Sequence, residues 1–74
     1  MTYLKAAAGA LAIMMASGMI ADFDVSITND DIYVVVWSTD DQSDTKLRKQ
    51  VAAMLPSAIG ESRVFVNRDG VISV

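Results

Sequence analysis

From Ala6 to Ala21 the chain carries no charge and is built from Ala, Gly, Leu, Ile, Met and one Ser; at Asp22 that character ends. Such a run has three physical destinations: removal as an export signal, insertion in a membrane, or burial as a helix. As a membrane span it is short, since a helix of that length rises about 24 Å against roughly 30 Å of hydrocarbon. As a signal it offers Lys5 as a minimal basic region, Ala6 to Ala16 as the apolar stretch and Ala16-Ser17-Gly18 as a small-residue cleavage site. Cleavage after Ala21 would place the large Met19 at a position that needs a small side chain. On that alternative, residues 1–18 or 1–21 are removed and a small ββαββ module works in the periplasm or outside the cell.

As a helix, the segment sets Tyr3, Leu4, Leu11, Met14, Met15 and Met19 on one broad side at 100° per residue. Ile13 and Ile20 fall on nearly the opposite side, among Ala6, Ala16 and Ser17. A helix apolar all round is usually buried all round. The expectation is therefore a retained helix within residues 1–21, one stripe on the core and the stripe of Ile13 and Ile20 forming an oligomer interface.

Size strengthens the case for association. The 74 residues make one domain, 1–74, with a core too small to supply more than roughly 3–5 kcal/mol unaided. Cysteine and histidine are both absent, which removes disulfides and the usual zinc sites. Nine acidic against six basic residues give a net charge of −3, unfavourable for direct nucleic-acid binding or for anionic membranes and suited to a basic partner.

Beyond Asp22, Phe23, Val25 and Ile27 alternate with Asp24, Ser26 and Thr28, the period-2 pattern of a half-buried strand. Asn29-Asp30 tolerates the left-handed backbone of a tight hairpin, and Ile32 to Ser38 returns. Pairing Ile27 with Ile32, Val25 with Val34 and Phe23 with Val36 puts all six on one face, so pattern and turn choose the same register. Leu47, Val51, Met54, Leu55 and Ala58 then recur at helical spacing, with Thr39 and Gln42 as a capping box, Ser43 as a competing cap, and Asp44 spaced to pair with Arg48. Pro56 should stop this helix near Leu55. A last hairpin around Asn67-Arg68-Asp69-Gly70 with a three-residue loop would gather Val64, Val66, Ile72 and Val74 on one face. The expected fold is α+β, in the order αββαββ: a four-stranded sheet with two helices packed on one face, its crossover right-handed if the second and third strands are parallel neighbours.

Chemistry-bearing motifs are few. Asp40, Gln42 and Asp44 begin like a calcium loop, but Thr45 stands where the glycine is required and Val51 where the bidentate acid is required. Carboxylates there complement a helix dipole instead. Asp30-Asp31 reads as turn chemistry, and Lys46, Arg48 and Lys49 as a solvated helix face. The glycines are isolated, so no phosphate-cradling loop exists. The expectation is a chain with no catalytic residues, metal or cofactor; the alternative is a carboxylate-based metal-binding or catalytic domain. The remaining feature is the outer sheet face, where Tyr33, Trp37 and Phe65 gather with more apolar area than an ordinary solvent face carries. With Asp24, Asp30 and Asp31 beside them, these residues are expected to bind a protein partner. The chain thus reads as a small, cytoplasmic, self-associating binding domain, suited to inhibition by occupying a basic nucleic-acid-binding surface.

Overall fold

The computed structural model describes residues 2–39 and 43–67. Helix α1 runs Thr2–Ala16, strand β1 Asp22–Thr28, strand β2 Asp31–Trp37, helix α2 Asp44–Met54 and strand β3 Val64–Asn67, the last entered through a single 3-10 turn at Glu61–Arg63. The architecture is α+β, with two helices and a three-stranded sheet in the order β1-β2-β3. Strands β1 and β2 are antiparallel; β2 and β3, joined through α2, are parallel. The expected fourth strand with its Gly70 loop, along with Asp40, Asp41 and Gln42, lies outside the described residues.

The hairpin forms as its pattern dictates. Asn29 and Asp30 have φ of 52° and 66°, and Ile27 faces Ile32, Val25 faces Val34 and Phe23 faces Val36. Two successive left-handed residues make the turn whose twist matches the strands it joins. Helix α2 begins at Ser43, whose Oγ accepts the Lys46 amide at 3.1 Å, so Ser43 is the observed cap. It ends at Met54, and Leu55 before Pro56 is extended at ψ 161°. Leaving the helix turns Leu55 and Ile59 inward, while Met54 and Ala58, expected on the core side, are exposed.

Helix α1 is shorter than its apolar run. Gly18 adopts φ +86°, the Met19 amide donates to the Met14 carbonyl at 3.0 Å and the Gly18 amide to the Met15 carbonyl at 3.1 Å. These are the paired bonds of a Schellman ending, with glycine at the left-handed position. The chain reverses there, so Ile20 no longer follows the helical period. It is buried at 1% exposure in the core, not on an outer stripe with Ile13. Tyr3 and Met15, expected on the core side, are exposed instead, and the buried helix line is Ala7, Leu11 and Met14. Both helices share one sheet face: Leu11 and Met14 from α1 and Leu47 and Val51 from α2 enclose Val34, Val36 and Val64.

Candidate functional site

Among the described residues, both helices pack on one side of the sheet and the other face carries no helix. The pleat sends Ile32, Val34 and Val36 into the core and Asp31, Tyr33, Val35 and Trp37 to the outer side. Across β2 the register places Asp24 beside Val35 and Asp22 beside Trp37 on one flank, Phe65 beside Val35 and Asn67 beside Trp37 on the other. Tyr33, Val35 and Trp37 are half-buried, and Phe65 is 48% exposed.

The face has two chemically distinct ends. At the hairpin end, the Tyr33 and Phe65 rings stack with centroids 6.3 Å apart and planes at 27°. The Arg63 guanidinium carbon lies 5.9 Å from the centre of the Tyr33 ring, and Arg63 Nη2 is 3.2 Å from Asp31 Oδ1. Continuing the parallel register one residue back from Val34–Val64 sets Arg63 beside Tyr33, so the contact follows from topology. At the opposite end stands Trp37, flanked by acidic β1. The Asp22 carboxylate accepts the Phe23 amide at 2.8 Å, and Asp24 has no cationic partner among the described residues.

The structure thus joins Tyr33 with Phe65 and puts Trp37 on the same surface without stacking it on them. Asp24 lies on this face. Asp30 is exposed at the turn, and Asp31 is engaged by Arg63. Ile13 is 66% exposed on the outer side of α1, remote from the aromatic face; Ile20 is in the core. Sequence reasoning missed Arg63 and Asp22. Arg63 was legible only through the parallel pairing of β3 with β2, and Asp22 through its pairing with Trp37. Arg48, expected to pair with Asp44, lies with its Nε 3.8 Å from Glu61 Oε1, tying α2 to the turn before β3.

A groove of about 180 Å³ lies between Tyr3, the Asp30 turn, Ile59 and Arg63, below the roughly 300–1,000 Å³ of ligand pockets. Among the described residues no group of three acidic, His or Cys side chains converges on a metal position, and no helix is long and apolar enough to cross a membrane. Compared with protein families, curated proteins and solved structures, the chain matches none.

Proposed function

We propose that this chain is a non-enzymatic binding domain whose open sheet face docks a protein with a basic surface. One observation carries the reading: Tyr33, Phe65 and Trp37 share a face that neither helix covers, with Asp22 and Asp24 along its edge. Rigid aromatic area supplies binding energy when it is desolvated, and rim carboxylates steer a cationic partner and raise the association rate. The Arg63–Asp31 pair offsets one carboxylate at the hairpin end, so the acidic character that remains is Asp30 at the turn and Asp22 and Asp24 towards Trp37. A surface of this size and charge suits occupation of a nucleic-acid-binding patch, and the finer reading is an inhibitor acting there. Mature protein with its helix α1 in place, in the cytoplasm, is the setting this reading takes.

The test is comparative capture from the native host. The unaltered chain, Phe65→Ala, Asp24→Asn and a control, Lys49→Ala on exposed α2, are each used as bait. A basic partner retained by the control, weakened by Asp24→Asn and lost with Phe65→Ala supports the reading, as does its release by added nucleic acid. A partner bound equally by all four places the binding surface elsewhere.

A further inference from the structure

The outer edge of β1 is a second surface, which shares Asp22 and Asp24 with the rim of the aromatic face. Strand β1 ends the sheet, and no described segment pairs with its free side. Natural edges are blunted by proline, by charged side chains and above all lysine, by a bulge or by short length. The segment Asp22–Thr28 is seven residues long with neither proline nor lysine; its two charges, Asp22 and Asp24, lie on the face away from the core, and Ile27 remains 45% exposed at its rim.

Which groups face outward follows from the turn. In a two-residue hairpin the closing pair, here Thr28 and Asp31, is the hydrogen-bonded one, and the bonding alternates from there. Ser26 and Asp24 therefore spend their amides and carbonyls on β2, while Phe23, Val25 and Ile27 direct theirs outward; at the start of the strand the Trp37 carbonyl accepts the Ala21 amide at 2.8 Å. The Phe23 amide, which turns to the Asp22 carboxylate at 2.8 Å, agrees with this assignment.

We infer that β1 pairs antiparallel with β1 of a second copy, about a two-fold axis through Val25, to make a continuous six-stranded sheet of the described strands. Three independent features select this register. Val25 is the midpoint of Asp22–Thr28, so the overlap is full. The centring places outward-facing residues opposite one another: Val25 meets Val25 of the second copy, and the Ile27 amide reaches the Phe23 carbonyl of the second copy. The side chains also match. Phe23 packs beside Ile27 of the second copy on the core side, and on the other side Asp24 faces Ser26 and Asp22 faces Thr28, so each carboxylate meets a hydroxyl. Centring on Asp24 instead would oppose two carboxylates and misalign the backbone groups. In this arrangement helices from both copies lie on one side of the sheet and both aromatic faces on the other.

Sedimentation equilibrium of the full chain at about 0.15 M salt, where exposed charges act only over about 8 Å, tests the register through Ser26, which is exposed. Ser26→Asp puts a second carboxylate opposite Asp24 of the other copy, twice per dimer, and should weaken dimerisation roughly tenfold. Ser26→Lys should strengthen it by a similar factor. Hydrogen exchange supplies a second measurement, in which the Val25 and Ile27 amides gain protection as concentration rises while the β2 amides do not change. A chain that stays monomeric to millimolar concentration overturns the proposal. So does a dimer indifferent to both Ser26 variants, or one dissolved by Ile13→Lys while the Val25 and Ile27 amides exchange freely.

Discussion

Arg63 and Asp31 close the sheet across its parallel pair: the guanidinium just before β3 reaches 3.2 Å to the carboxylate at the start of β2 while lying over the Tyr33 ring. Both side chains are more than a third exposed, so the ion pair alone contributes only about 0.2–1 kcal/mol. The ring contact adds about 0.5–1 kcal/mol at an exposed site. Arg63→Ala should therefore lower stability by roughly 1 kcal/mol, and Arg63→Lys by less, since lysine keeps the charge but not the planar fork. Urea melts check the order; equal losses would show that only the planar guanidinium counts, since lysine keeps both the stem and the charge.

Gly18 sets the end of α1, and its conformation separates backbone strain from packing. A Cβ at Gly18 would meet nothing within 4 Å, so any penalty comes from φ +86° alone. Gly18→Ala should cost about 1–2 kcal/mol and Gly18→Asn less, because asparagine tolerates the left-handed region better. A synthetic chain with D-alanine at this position should instead be stabilised by about 0.4–1 kcal/mol, since it restricts the unfolded chain and fits the native turn. Thermal melts of the three decide it; a D-alanine variant no more stable than the L-alanine one would place the penalty outside the backbone.

The two isoleucines of the apolar run show what was legible in the sequence and what was not. Ile13, on the outer side of α1, stands where 100° per residue places it; Ile20 does not, because the Schellman turn resets the chain direction between them. Periodicity reads a face only while the helix lasts. The stop was written in Gly18, two residues past Ala16, but small residues there also spell a cleavage site, and the apolar composition continues unbroken through it. In the β1–β2 hairpin, by contrast, two signals agreed. Alternation fixed the faces, Asn29-Asp30 fixed the turn, and the register followed down to individual pairs. The aromatic face was legible for the same reason, whereas Arg63 needed a long-range parallel pairing that no local pattern encodes.

That contrast has an energetic consequence. Ile20→Ala should destabilise by about 2–5 kcal/mol, as for truncation of a buried aliphatic. Ile13→Ala should stay within about 0.5 kcal/mol in dilute solution, as for surface positions. Denaturant melts at low concentration measure both, and comparable losses would mean that Ile13 is covered even in the monomer.

The hairpin turn yields the last prediction. Asn29 and Asp30 both occupy positive φ, at 52° and 66°, and the second position of such a turn favours glycine above all other residues. Asp30→Gly removes the steric strain at φ 66° but frees the unfolded chain, two effects of opposite sign and each of about 0.5–1 kcal/mol. Strain relief should win by a few tenths of a kcal/mol, because the strands on both sides already hold the register. Asp30→Val retains the strain and adds a branched side chain, so it should lose about 1–3 kcal/mol. The pair also bears on the proposed function. Because Asp30→Gly removes a carboxylate while preserving the turn, it should slow association with a basic partner and weaken the salt dependence of that rate, leaving dissociation unchanged. Stopped-flow binding of a captured partner by the Asp30→Gly chain reads this directly; a faster dissociation rate would make Asp30 a contact residue instead of a steering charge.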